Sequence, residues 1–264
     1  VSQKRNYRVL IEYDGTHYCG WQYQDAKTPT IQGELIRALT IIAKDKVLVT
    51  GSSRTDSGVH AEGLVANFHL GIPIAAESLQ KAVNAILPQD IRIRRCEIAD
   101  ISFNARYGAL SKTYRYRLYF GQVPSPFSIR YQAHMPYPFN IRAMRLALPH
   151  FVGSHDFSSF TSDEPDKKRQ REISSFTLKK KGEELVFEIR GKSFLRYMVR
   201  NIVGTIIDIG RAKIPVSDLP EIFAAKDRRR AGQSAPARGL TLVEVSYQEP
   251  WRGEKKSDGS VGSV

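Results

Sequence analysis

Two side chains in the segment Gly51-Ser52-Ser53-Arg54-Thr55-Asp56-Ser57-Gly58-Val59-His60-Ala61 could do chemistry together. Arg54 and Asp56 are two residues apart, so in extended backbone both point to the same side. Gly51 and Gly58 permit sharp or left-handed turns, and Thr55 and Ser57 can bond nearby backbone and fix the loop. The outcome is a carboxylate held in a rigid, cation-rich turn, the equipment of a nucleophile or a general base. Taken alone, Arg-x-Asp reads as a surface ion pair within a turn, worth ~0–1 kcal/mol. Chemistry needs partners from elsewhere in the chain.

Two other stretches offer such partners. Tyr13-Asp14-Gly15-Thr16-His17-Tyr18-Cys19-Gly20-Trp21-Gln22 crowds aromatic and polar side chains into one short loop. Extruded RNA bases stack on such rings for about 1–3 kcal/mol each. A packed turn with Trp21 in the core fits the same residues equally well. In Lys112-Thr113-Tyr114-Arg115-Tyr116-Arg117, aromatic and cationic residues alternate, which by spacing alone is an amphipathic edge strand. The chain of 264 residues carries 40 Lys plus Arg against 27 Asp plus Glu, a formal charge of +13. That excess favours a polyanionic partner through counterion release, without separating DNA from RNA.

Several classes are disfavoured. Cys19 and Cys96 are far apart and in no Cys-x-x-Cys spacing, so neither a disulfide framework nor a Cys-rich zinc site is encoded. His150 and His155 near Asp156 lack clustered ligand spacing, so no metal is expected. The chain has no run of eighteen apolar residues and no apolar signal core near Tyr7, which points to a cytoplasmic protein off the membrane.

The elements that must position these residues follow from periodicity. Tyr7 to Tyr13 reads as a strand closed by the turn pair Asp14-Gly15. Ile31, Leu35, Ile36, Leu39 and Ile42 recur at helical spacing, with Thr30 as N-cap and Lys44 to Lys46 at the basic end. Val47 to Thr50 and Leu64 to His69 are strands flanking the loop, followed by a helix from Glu77 to Ile86 stopped by Pro88. Strands are expected from Ile91 to Glu97 and from Lys112 to Phe120. Gly121 to Phe139 holds Pro124, Pro126, Pro136 and Pro138 and reads as an irregular connector or arm.

In the second half, a short helix from Ile141 to Leu148 precedes a hairpin of Ile173 to Lys180 with Leu185 to Ile189. A long helix from Phe194 to Ile209 would place Arg196 and Arg200 at i and i+4, with Gly204 one turn on, where backbone or ligand could approach closely. A helix from Val216 to Ala225, the basic run Lys226 to Arg230 and a strand from Leu242 to Tyr247 complete the pattern. The order predicts an α+β protein of two α/β halves, 1–109 and 110–250, sharing antiparallel sheet. Residues 251–264, rich in Gly, Ser and Lys, read as a mobile tail.

Six stretches, in order, resemble the motif series of the TruA-type tRNA pseudouridine synthases. They are Asp14-Gly15-Thr16 with Gly20-Trp21-Gln22, Arg54 to Ala61, Phe103-Asn104-Ala105-Arg106, Lys112-Thr113-Tyr114-Arg115-Tyr116, Met198 to Gly204, and Ala235-Pro236-Ala237-Arg238-Gly239-Leu240. They span nearly the whole chain. The family motif around the Asp more usually reads Gly-Arg-Thr-Asp-Ala-Gly-Val-His, so Ser53 and Ser57 stand where Gly and Ala are frequent, and Asn104 stands where His is common. These changes bear on loop flexibility or RNA contact and leave the residues matched to chemistry in place.

The resemblance implies two ferredoxin-like α/β halves sharing an extended antiparallel sheet with helices on one side, the pseudouridine synthase fold. It implies an isomerase that breaks the N1–C1′ bond of uridine in the anticodon stem-loop of tRNA, rotates the uracil and rejoins it through C5. No cofactor is implied, and a homodimer would hold the tRNA. Asp56 matches the essential Asp, acting at C1′, at uracil C6 or on the C2′ proton, and in each scheme it must be ionised. Arg200 would pair with Asp56 and favour its charged form. Tyr114 would stack on the target base, its hydroxyl a candidate for proton removal at C5, with Leu240 packing the other side. Arg54 matches the Arg that holds the target nucleotide out of its stack. Arg196, Arg228, Arg229, Arg230, Lys167, Lys168 and Arg169 are candidates for the RNA backbone, each equally readable as solvated surface charge. Two other readings accompany this one: the same chemistry on other RNAs, and a catalytically silent RNA-binding protein on the same scaffold. Binding alone would not require Asp56, Tyr114 and Arg200 together.

Overall fold

A computed structural model describes residues 4–162 and 168–251. In β1 (Arg5–Tyr13), alternate residues Tyr7, Val9, Ile11 and Tyr13 are buried on one face, as the period-2 pattern requires. Helix α1 (Ile31–Ala43) starts where Thr30 was expected to cap it, the Thr30 hydroxyl accepting from the Gly33 N–H. The first half continues with β2 (Val49–Gly51), β3 (His60–Leu70), α2 (Ala76–Ile86) and β4 (Ile91–Ala99). The second holds β5 (Ala109–Tyr119), β6 (Ala133–His134), α3 (Ile141–Ala147), β7 (Gly153–Asp156), β8 (Gln170–Lys181), β9 (Glu184–Gly191), α4 (Met198–Gly210), α5 (Leu219–Ala225) and β10 (Leu240–Tyr247). No helix among the described residues is long and apolar enough to cross a membrane.

The strands form one sheet in the order β4-β1-β3-β10-β5-β9-β8-β7, with β2 on β3 and β6 on β5. Strands from the first half of the chain occupy one end and those from the second half the other. The protein is α+β, and the sheet is mixed rather than purely antiparallel. Where the halves meet, β10 runs parallel to β3, with His60 opposite Thr241 and Ala61 opposite Leu242. The β5–β6 pairing is also parallel. Parallel neighbours need a long connection, which the chain between β3 and β10 supplies, so strand alternation alone could not reveal this pairing. The seam sets the loop that leads into β3 beside the turn that leads into β10.

In β9 alternate residues Leu185, Phe187 and Ile189 are buried on one face, while Glu188 and Arg190 on the other are exposed. In the C-terminal half Phe151, Phe157 and Phe160 meet Phe223 of α5 with ring centroids 4.9–5.7 Å apart. Elsewhere Arg8 of β1 is buried among the rings of Phe103, Tyr247 and Trp251, its guanidinium carbon 5.1, 4.8 and 4.0 Å from their centroids, with Glu97 at 3.4 Å. Trp251 is therefore packed, although its position in a Gly- and Ser-rich stretch suggested a tail; residues 252–264 lie outside the described residues.

One helix boundary differs in a way that matters. Helix α4 begins at Met198 rather than Phe194, because Tyr197 adopts a left-handed conformation (φ 58°, ψ 2°) and turns the chain sharply. Arg196 consequently precedes the helix, and the i, i+4 relation expected of Arg196 and Arg200 is absent. Gly204 does what the sequence suggested: the backbone of Gln233 crosses the helix there, and a Cβ would lie 1.7 Å from the Gln233 carbonyl oxygen. Gly204→Ala should therefore destabilise the protein by about 2–4 kcal/mol in urea unfolding, although alanine is the better helix former by about 1 kcal/mol. An unchanged or raised midpoint would show that the crossing segment yields.

Candidate active site

The loop between β2 and β3 is tied down from below. The Trp21 N–H donates to the Thr55 carbonyl at 3.1 Å, and the Gly58 N–H and Ser57 hydroxyl donate to the Tyr18 carbonyl at 3.3 and 3.2 Å. The Thr55 and Tyr13 hydroxyls lie 2.7 Å apart in the core. Gly20, at φ +90°, brings its bare Cα so close to this loop that a Cβ would sit 2.6 Å from the Thr55 carbonyl oxygen. Trp21 is 1% exposed. Of the two readings of the Tyr13 to Gln22 loop, the packed turn is the one found, and it acts as a bed for the carboxylate loop.

The same loop is fastened from the side by β5. The Lys112 ammonium donates to the Ser52 carbonyl at 2.6 Å, and the Tyr114 hydroxyl donates to Ser53 Oγ at 3.3 Å. Residues 112 and 114 lie on one side of a strand, so they grip successive loop residues. Burial, with a smaller push from the Arg106 charge, brings the Lys112 ammonium down to about 8. The sequence reading missed Lys112 as a support; its signal was the two-residue spacing from Tyr114.

Asp56 faces α4 from this frame. Arg200 Nη1 lies 3.3 Å from Asp56 Oδ2, with the two side chains 16% and 18% exposed. The Arg200 Nε donates to the Ala235 carbonyl at 2.8 Å, and the Ala235 N–H donates back to the Arg200 carbonyl at 3.0 Å. Burial pushes the Asp56 carboxyl above the usual carboxylate range, and the charge and hydrogen bond of Arg200, helped by the charge of Arg196, offset this only in part. Arg54 is exposed and makes no ion pair with Asp56. The turn ion pair suggested by Arg-x-Asp is thus not formed, and the cation comes from 144 residues away.

Tyr114 is buried beside the pair. Its ring meets Phe194 edge-on at 5.2 Å, and burial, with the Asp56 charge pushing the same way, raises its phenol to about 12 against a smaller opposing effect of the Ser53 hydrogen bond. Leu240 opens β10 opposite Tyr116, and Leu242 lies opposite Tyr114. The turn before Leu240 meets the carboxylate loop, since a Cβ on Gly58 would stand 3.4 Å from the Ala237 side chain. Asp56, Arg200 and Tyr114 are thus brought together, with Leu240 at the adjoining seam. Phe194 and Ser53 complete the setting; Phe194 had no distinctive sequence signal, whereas Ser53 stands where Gly is frequent in the family motif.

Several of the basic residues are engaged within the protein, Arg196 among them through the Tyr197 hydroxyl at 3.4 Å. Arg228 donates to Asn201 Oδ1 at 2.9 Å and to the Ala231 carbonyl at 3.3 Å, and Arg229 grips the Asp227 carboxylate at 2.8 Å. Arg196, Arg230 and Lys168 are exposed and Arg169 is half-buried. Lys167 lies outside the described residues.

An α+β protein with a sheltered carboxylate, a guanidinium against it and a buried tyrosine beside them has the make-up of an enzyme using acid–base or nucleophilic chemistry. The tRNA pseudouridine synthase family matches residues 9–108 and 147–248, and the chain belongs to that family. It is 42% identical over 244 residues to tRNA pseudouridine synthase A of Acetivibrio thermocellus, covering 92% of this chain and 100% of that relative. It is 43% identical over 246 residues to tRNA pseudouridine synthase A of Lacticaseibacillus casei, covering 92% and 99%. Among solved structures, an H/ACA ribonucleoprotein bound to a substrate RNA is a distant likeness, with TM-score 0.32 and 13% identity over 76% of this chain and 44% of that one.

The Lys112 clamp has a pH signature. A lysine whose folded pKa is lowered to about 8 gives up its proton more easily when folded, so its contribution to stability improves as pH rises from about 8 to the unfolded value of 10.5. The unfolding free energy of the parent relative to Lys112→Met should rise over that window by on the order of 1–3 kcal/mol, followed by denaturation at successive pH values. A constant difference would mean that the ammonium is solvated.

Proposed function

We propose that the protein isomerises uridine to pseudouridine in tRNA, with Asp56 as the catalytic carboxylate. The observation that carries this reading is the placement of Asp56 against Arg200 and beside Tyr114, three residues from distant parts of a chain that belongs to the synthase family. A ring stacked on Tyr114 would present its glycosidic carbon to the loop that bears Asp56. Attack at C1′, attack at C6 and removal of the C2′ proton all need that carboxylate ionised, which is the state Arg200 favours. Tyr114 stacks on the target base, and its hydroxyl, which donates to Ser53 Oγ, is the candidate for proton removal at C5. Leu240 packs the opposite side of the base, and the exposed Arg54 holds the extruded nucleotide.

Following the same resemblance, the substrate uridines lie in the anticodon stem-loop, the protein acts as a homodimer, and it works in the cytoplasm. The formal charge of +13 supports a tRNA partner. Arg196, Arg230, Lys168 and Arg169 are the proposed backbone contacts together with Arg228 and Arg229, and Arg196, Arg228 and Arg229 would exchange bonds they now make within the protein.

Incubation with unmodified tRNA and nucleoside mapping tests reaction and site together. Asp56→Asn should bind tRNA but lose about 10³-fold or more of the tritium release from 5-tritiated uridine. Turnover by that variant at the parent rate would sink the assignment. In the parent, activity should fall on the acid side with a midpoint above the ordinary Asp value of 3.8, because burial raises Asp56 and protonation removes the reactive form. A pH–rate profile under single-turnover conditions checks this.

A further inference from the structure

Tyr197 stands immediately before the helix that carries Arg200. Four non-glycine residues have left-handed backbone among the described residues: Lys44, Tyr197, Ala212 and Lys226. Lys44 and Lys226 close helices, and Ala212 follows the end of α4, the usual places for this conformation. Tyr197 instead opens a helix, and its side chain makes no cap hydrogen bond. A Cβ disfavours this backbone, so an aromatic residue held there is under strain that the surroundings must impose.

What the conformation achieves is visible in the ring contacts. The guanidinium carbon of Arg196 lies 4.9 Å from the Tyr197 ring centroid, and that of Arg200 lies 5.2 Å from the same centroid. Arg196 Nη2 also lies 3.4 Å from the Tyr197 hydroxyl, to which it donates. Had α4 begun at Phe194, Arg196 and Arg200 would follow one helical face without this turn between them. With Tyr197 left-handed, one ring contacts both cations, and both cations act on Asp56.

We propose that Tyr197 is a positioning residue, its ring fixing the Arg200 guanidinium against Asp56 and keeping the Arg196 charge close to the same carboxylate. The proposal rests on the reading of Asp56 given above. Arg200 is then held from three sides, by the Tyr197 ring, the Ala235 carbonyl and the Asp56 carboxylate. The charged or titratable groups around Asp56 are Arg200 from α4, Arg196 from the turn before it and Tyr114 from β5, with Tyr116 of β5 in turn feeling Arg200 and Arg238.

The test compares Tyr197→Leu, Tyr197→Gly and Tyr197→Phe with the parent, with Asp56→Asn and Arg200→Ala as references. Leucine removes the ring and keeps a Cβ, glycine also removes the backbone strain, and phenylalanine keeps the ring. Single-turnover kcat with tRNA should fall about fivefold or more in Tyr197→Leu and in Tyr197→Gly, with KM within about threefold of the parent, and should recover to within about threefold in Tyr197→Phe. The Asp56 carboxyl, followed by carbon NMR in protein without RNA, should titrate at higher pH in the leucine and glycine variants, in the direction set by Arg200→Ala. Thermal unfolding of Tyr197→Gly separates the contact from the fold, since a stable glycine variant with lowered kcat assigns the loss to the ring. An unmoved Asp56 titration in both ring-less variants, or a loss confined to KM, would overturn the proposal. Parent-rate turnover by Asp56→Asn would instead overturn the catalytic reading, while the NMR comparison still decides whether Tyr197 acts on Asp56.

Discussion

A carboxylate taken largely out of water needs a cation, and much of this architecture converges on supplying one to Asp56. The group belongs to a loop of the first half of the chain, and its partner Arg200 belongs to a helix of the second. Their contact at 3.3 Å therefore ties the halves together at the place where β3 and β10 run side by side. Burial still wins the balance, holding the carboxyl above its ordinary range. For a carboxyl raised in this way, the folded state is favoured most when the group is protonated, and that stability is lost as pH rises through the folded pKa. At neutral pH the ionised site is thus a cost to the fold, offset by the guanidinium and by the packing around it.

That packing is built from close backbone approaches as much as from side chains. Gly20 lets the aromatic loop press against Thr55, and Gly204 lets the segment bearing Gln233 and Ala235 cross α4. The second crossing delivers the Ala235 carbonyl to Arg200 Nε, so a missing side chain in the helix interior becomes a hydrogen bond at the site. On the other flank, Lys112 and Tyr114 hold Ser52 and Ser53 and keep the loop from moving away from β5. The site loop is gripped from the bed beneath it and from the strand beside it.

Much of this was legible before any coordinates. The strand pattern of Tyr7 to Tyr13, the Thr30 cap and the hairpin around Gly182 follow from period, capping and turn chemistry, which are local. The family motifs picked out Asp56, Tyr114 and Arg200, and the structure puts them in one place. The departures are non-local. Nothing within eleven residues of Asp56 reveals that Arg54 turns away; that Arg200 pairs with Asp56 was expected only from the family motifs. Tyr197 interrupts an unbroken helical pattern through a backbone state that an aromatic residue does not advertise. Trp251 looked like part of a polar tail because its partner, Arg8, lies at the other end of the chain.

The sequence by itself determined the elements, the α+β class and the candidate chemistry, since each depends on residue type and short spacing. Tertiary structure decided the parallel seam, the burial that raises the Asp56 carboxyl and the ring that backs Arg200. Those properties arise from contacts between residues far apart in the chain and from removal of water. Both exist only once the two halves of the sheet have closed on each other.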